Sequence, residues 1–177
     1  VELEPYAWEA PSTVIAARHN LLPHEVLRFD LNTVVAAPPS WRAAMTAARD
    51  DDGPQEYADP SYAELTGLLG AYCGVDPAQI LVGAGADEIL AIICHTFLEA
   101  GDAVVVTAPT YPVHALRPQQ LGATVRTCLL GAGFTPDVEE LLAAAAGAKL
   151  LFLCTPNNPT GAALDPALIE RIVAGSP

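Results

Sequence analysis

The sequence predicts an α/β fold: a mainly parallel sheet flanked by helices, behind an irregular N-terminal arm. Short β-branched or apolar runs, such as Ala103–Thr107 and Lys149–Cys154, alternate with helical patterns of about 10–15 residues, which is the signature of βαβ units. Glycine, proline and helix-capping residues stand at the joins between those runs. Apolar residues make up 51% of the 177 and charged residues 16%, enough to bury a core in one domain and too apolar for a disordered chain.

The elements follow in order. Pro5, Pro11, Pro23, Pro38 and Pro39 mark an arm over residues 1–39, with one short helix about Ser12–Asn20 and Ser12 as its candidate N-cap. From Ser40 the pattern becomes regular, and residues 40–177 read as the larger domain. Ser40 is placed to cap a helix that stops at Gly53-Pro54, with the acidic run Asp50–Asp52 at its solvated end. A turn over Glu56–Tyr62 leads to a helix closed by Gly74. Ile80–Val82 is the first expected strand, followed by a helix over Ala86–Gly101. Ala103–Thr107 is a strand, Tyr111–Leu121 a short helix with Gly122 at its end, and Thr124–Leu129 a strand. Asp137 caps the next helix, Lys149–Cys154 is the strongest strand, and Asp165 with Pro166 at the first helical position starts the last helix. The series stops on a helix that should cross over to a further parallel strand, so the α/β domain is expected to be incomplete.

Charge narrows the function. Lys and Arg number 8 and Asp and Glu 21, a net charge of −13. Such a surface repels phosphate backbones, which argues against nucleic acid and anionic membranes as partners. Cys73, Cys94, Cys128 and Cys154 lack CxxC spacing, and three sit in apolar runs. They read as reduced thiols of a cytoplasmic protein, with no metal site implied. No signal peptide is visible, and no apolar run approaches the roughly 20 residues that span a bilayer.

Ligands of open parallel sheets bind beyond the carboxyl ends of the strands, so the segments there are the candidates. Gly83-Ala84-Gly85-Ala86-Asp87-Glu88 opens a helix whose free N–H groups could take a phosphate. Alternatively, the glycines only make a tight turn. It is neither a GxGxxG fingerprint, because Glu88 replaces the third glycine, nor a P-loop. Tyr111, in Ala108–Pro112, could stack on a planar ligand or serve as a core tyrosine. Thr155–Gly161 holds Asn157 and Asn158 between two prolines and a glycine, where an amide could meet a ligand oxygen or only cap a turn.

Taken together and in this order, Glu56–Tyr62, Gly83–Glu88, Ala108–Pro112 and Thr155–Gly161 resemble the fold-type I pyridoxal-phosphate (PLP) aminotransferases. The pattern is most similar to the histidinol-phosphate aminotransferase branch, and it runs from Leu3–Tyr6 to the end of the chain. The resemblance implies a PLP-binding large domain over 40–177, a homodimer with shared sites, amino-acid and oxo-acid substrates, and a place in amino-acid biosynthesis. It implies that Gly85, Ala86 and Asp87 contact the cofactor phosphate and that Tyr111 stacks on the pyridine ring. Asn158 would meet the ring's phenolic oxygen, and Tyr57 the phosphate of the neighbouring subunit's cofactor. Tyr6 and Asn32 would lie near the substrate.

Two departures from the family are visible. Its Asn-Glu-Asn-Pro-like segment is replaced by Leu31–Ala36, which keeps Asn32 and no acidic residue. That substitution keeps a decarboxylase, cyclase or hydroxylase on the same scaffold as an alternative. The catalytic lysine is also missing. Lys149, the single lysine, starts a strand, about 16 Å from its carboxyl end at ~3.3 Å per residue. No residue of the chain is therefore assigned a catalytic role, and the Schiff-base lysine is expected beyond Pro177. A non-catalytic half-enzyme or dimerisation module is the rival from another class.

Overall fold

The computed structural model describes residues 9–31, 39–47, 57 and 59–177. They fall in two compact units, one within Glu4–Ser61 and the other Tyr62–Pro177. The expected Tyr6 and Asn32 site positions, and the Asp50–Asp52 helix end, lie outside the described residues.

In the smaller unit, α1 spans Ser12–His19 and α2 Pro39–Ala47, with a 3₁₀ turn at Pro23–Glu25. Ser12 does not cap α1; Pro11 holds that place, with no side-chain bond. Its fixed φ suits the start of a helix, and the Ser12 hydroxyl instead accepts from Arg28 at 3.1 Å. Arg28 also grips Asp30 through two bonds of 2.7 and 2.8 Å. Ser40 is likewise not a cap, because α2 already begins at Pro39.

The larger unit contains α3 (Ala63–Cys73), α4 (Gly85–Phe97), β1 (Ala103–Ala108), α5 (Val113–Gln120), β2 (Thr124–Leu129), α6 (Val138–Ala145), β3 (Leu150–Phe152) and α7 (Pro166–Gly175). Local chemistry sets many of the ends. Gly74 closes α3 in the left-handed region at φ 70°. The Asp137 carboxylate accepts from the Glu140 N–H at 3.1 Å, and that of Asp165 accepts from the Ala167 N–H at 2.8 Å. α4 stops at Leu98, short of Gly101. The carboxylate of Asp102 draws the Glu99 N–H out of the helix at 2.8 Å, and Gly101 takes the following turn at φ 93°.

The sheet has three strands in the order β2-β1-β3, all parallel. Ala103 pairs with Thr124 and Val104 with Leu150. The alternation of β1 side chains sorts two apolar clusters. Val105 packs with Cys128, Val138, Leu141 and Ile172, whereas Val104 and Val106 pack with Cys94, Leu98 and Ala123. Thus α6 and α7 lie against one face and α4 and α5 against the other. Right-handed crossovers require this arrangement, because β1-to-β2 and β2-to-β3 step in opposite directions across the sheet.

Ile80–Val82 is not a strand of this sheet. Ile80 is extended (φ −108°, ψ 127°), but the segment joins no ladder among the described residues, and Leu81 is largely exposed. Apolar β-branched sequence sets an extended backbone; pairing depends on a neighbour at the right place. β3 is also shorter than Lys149–Cys154. The Lys149 N–H still donates to the Ala103 carbonyl at 2.8 Å, and the chain leaves the ladder after Phe152.

Candidate functional site

The strand order defines where a site can form. The chain leaves β1 toward α5 on one face and leaves β3 toward α7 on the other. The loops after β1 and β3 therefore part at the carboxyl edge, and a crevice at such a switch point is where open α/β sheets bind ligands.

Three segments meet there. The first is the turn into α4. Gly85 adopts φ 74°, a conformation that costs glycine little, and the space where a Cβ would stand is open. Gly83 is crowded instead: an added Cβ would lie 2.8 Å from Ile89 Cδ1 and 3.2 Å from Glu88 Oε2. The Glu88 carboxylate accepts from the Ala84 N–H and staples the turn. Ala84 offers α4 no side-chain cap, and the first-turn N–H groups at Ala86 and Asp87 stand at the helix's positive end with no carbonyl a turn earlier in the helix to take them.

The second segment is the loop after β1. Tyr111, half-buried, donates its hydroxyl to the Asp87 carboxylate at 3.0 Å to Oδ1 and 3.3 Å to Oδ2. Its ring meets His114 edge-on, with centroids 5.9 Å apart and planes at 89°. His114 in turn lies flat on Phe152 of β3, at 5.4 Å and 4°. Burial pushes the His114 imidazole below its ordinary pKa, favouring the neutral ring.

The third segment is the loop after β3. Asn157 is buried, 5% exposed, and its amide is fully engaged. It accepts from the Thr110 hydroxyl at 3.0 Å and donates to the Pro109 carbonyl at 2.9 Å and to Thr160 Oγ1 at 2.9 Å. Asn158, next in the chain, is exposed.

Of the residues singled out from the sequence, Asp87 and Tyr111 are joined directly by a hydrogen bond, and Gly85 and Ala86 precede Asp87 in the same turn. Asn158 belongs to the same edge because Asn157 is bonded to Thr110, the neighbour of Tyr111. Tyr57 is fully exposed in the other compact unit. Lys149 is exposed at the opposite end of β3 from the loops. Sequence reasoning missed His114 and the inward role of Asn157. A tandem Asn-Asn at a strand end signals a site without saying which amide turns inward, and a lone histidine carries no spacing signal.

Backbone N–H groups at a helix start with an aromatic ring beside them suit an anionic, flat ligand. That is the chemistry of a phosphorylated pyridine such as PLP. Among the described residues, no helix is long and apolar enough to cross a membrane.

Residues 25–176 match the family model for aminotransferase class I and II. The chain is 35% identical to a histidinol-phosphate aminotransferase of Roseiflexus castenholzii over 97% of this chain and 47% of that protein. It is 34% identical to histidinol-phosphate aminotransferase 2 of Caulobacter vibrioides, over 92% and 42% respectively. The chain thus spans about half the length of the curated relatives it matches. Among solved structures it is similar to histidinol-phosphate aminotransferase from Sinorhizobium meliloti in complex with pyridoxal-5'-phosphate. The TM-score there is 0.78 at 25% identity, over 97% of this chain and 46% of that one. On sequence and fold alike, this chain belongs to the class I and II aminotransferase family.

Proposed function

We propose that this chain forms the phosphate and ring cradle of a PLP-dependent aminotransferase of the histidinol-phosphate type. Residues 40–177 are its part of the PLP-binding large domain, and 1–39 its N-terminal arm. The observation that carries the reading is the meeting of Asp87, at the start of α4, with Tyr111, beyond β1, at the switch point of the sheet. Bound PLP supplies a carbonyl that links to the substrate amine and a ring that withdraws electrons from the carbon beside it.

The chain's own residues bind and orient. The Ala86 and Asp87 N–H groups hold the phosphate, with Gly85 allowing the close turn. Tyr111 covers one face of the ring, and Asn158 turns its amide to the ring's phenolic oxygen. Tyr57 serves the phosphate of a second copy's site in a cytoplasmic homodimer, and Tyr6 and Asn32 stand near the substrate. The amino group moves between histidinol phosphate, the compound named for the relatives, and an oxo acid. The lysine that links to the cofactor is not Lys149, which stands in solvent at the wrong end of β3.

The test is PLP binding followed by ring absorbance, then borohydride reduction and peptide mapping. Tyr111→Ala and Asn158→Ala are each expected to weaken binding by roughly tenfold, the worth of about 1.4 kcal/mol. No specific pyridoxyl adduct is expected on Lys149. Binding that ignores both substitutions, or a Lys149 adduct lost together with activity in Lys149→Ala, overturns the assignment.

A further inference from the structure

Asp87 is turned in an unexpected direction. A carboxylate in the first turn of a helix ordinarily caps that helix or faces water. In α4 the stapling is done by Glu88, through the Ala84 N–H, so the turn does not need Asp87. Asp87 instead reaches another element and accepts the Tyr111 hydroxyl, 24 residues away in sequence, at 3.0 Å. The pair is partly buried, and a bond to an ionised acceptor is stronger than one between neutral groups. A carboxylate beside a bound phosphate is repulsive on its own account. Its presence here calls for a gain elsewhere, and the ring of Tyr111 is where that gain falls.

Tyr111 has two side-chain torsions, and among the described residues His114 and Asp87 both bear on them. His114 meets the ring edge-on, itself stacked on Phe152. Asp87 fixes the hydroxyl at the far end of the ring. We propose that Asp87 is a positioning residue: its carboxylate holds the Tyr111 hydroxyl and so sets the plane that the ring presents to the cofactor. The proposal rests on the reading of Tyr111 as the ring platform. One residue then joins two subsites, its backbone N–H in the phosphate turn and its side chain under the platform. A ligand carrying both ring and phosphate depends on the tether, whereas phosphate alone does not.

The probe is pyridoxamine 5'-phosphate, which has the ring and the phosphate but forms no link to a lysine. Its affinity is measured by fluorescence titration, and that of inorganic phosphate by ³¹P NMR. Asp87→Ala and Tyr111→Phe are each expected to weaken the probe by roughly three- to tenfold, the range of one hydrogen bond. The double variant should lose no more than either single one. Asp87→Asn keeps an acceptor and should recover most of the loss. Inorganic phosphate should bind Asp87→Ala at least as well as wild type. Additive losses, full affinity in Asp87→Ala, no recovery in Asp87→Asn, or a parallel loss of inorganic phosphate would each overturn the tether. If Tyr111→Ala binds the probe as wild type does, the ring-platform reading fails and takes the tether with it. If Tyr111→Ala weakens binding while Tyr111→Phe does not, only the tether fails.

Discussion

The Thr110 hydroxyl donates to Asn157 Oδ1 at 3.0 Å, across 47 residues of sequence. This bond fastens the loop after β1 to the loop after β3, and the same asparagine ties Pro109 and Thr160 through its nitrogen.

Asn157→Ala removes all three bonds and leaves the part-buried Pro109 carbonyl without this donor, while Thr110 Oγ1 keeps His114 Nδ1 at 3.5 Å and Thr160 Oγ1 keeps the Ala162 N–H at 3.3 Å. The expected cost is about 2–3 kcal/mol of stability, since an orphaned buried polar group loses about 1–3 kcal/mol. Urea unfolding measures it. A loss below about 0.5 kcal/mol, the size of an ordinary surface substitution, would show that the knot is not structural.

Gly83→Ala tests the crowding at the α4 turn. The new methyl would lie 2.8 Å from Ile89 Cδ1 and 3.2 Å from the stapling oxygen of Glu88. Ile89 can rotate, but Glu88 then loses its hold on the Ala84 N–H. Overpacking of this kind costs about 1–3 kcal/mol. Gly85→Ala has open space but φ 74°, so its cost is backbone strain of about 1–2 kcal/mol. Thermal unfolding of the two variants, with Glu88→Gln in each background, separates the causes. The cost should depend on Glu88 only at Gly83.

His114 gives stability a pH dependence of definite sign. Its imidazole is held below the ordinary value in the folded chain, by burial, and returns to about 6.5 on unfolding. Between those two values the unfolded chain binds a proton that the folded chain does not, so stability is full above about pH 6.5 and falls as pH drops through the folded value. His114→Phe keeps the flat ring against Phe152 and cannot titrate. Urea unfolding in steps from about pH 7.5 to 5 should show a shallower acid-side decline in His114→Phe than in wild type. Equal slopes would contradict the buried neutral ring.

The cysteines should react in an order set by burial. Cys73 is exposed, whereas Cys94 and Cys128 are buried and their thiols are pushed up by desolvation. The thiolate is the reactive form, so both factors slow the buried pair. Iodoacetamide followed by peptide mapping should label Cys73 in the native protein and Cys94 and Cys128 only as it unfolds. Native labelling of Cys128 as fast as Cys73 would contradict the packing of α6 on the sheet.

The parts of the fold governed by near neighbours were legible in the sequence. Asp137 and Asp165 announce their helices because a cap acts within three residues, and Gly74 ends α3 because its own φ does so. Parallel pairing of β1, β2 and β3 followed from the helices between them. Ile80–Val82 misled because composition fixes an extended backbone and says nothing of a partner. Tyr111 and Asp87 were each visible in the sequence, but the bond between them was not, because it joins two elements through side-chain directions that no spacing encodes. Asn157 and Asn158 are chemically identical, and only the path of the loop decides that the first turns inward.

The knot at Asn157 also sets an order of assembly on a growing chain. β1 and β2 can align once residue 129 has been made, and β3 adds to the far side of β1 only later. Thr110 waits still longer, because Asn157 is itself held by its N–H bond to the Ala162 carbonyl. During synthesis from the amino end, the three strands are therefore made before the fastening at their carboxyl edge is. A chain halted between β3 and Ala162 would carry β1, β2 and β3 without the fastening that keeps the two loops together.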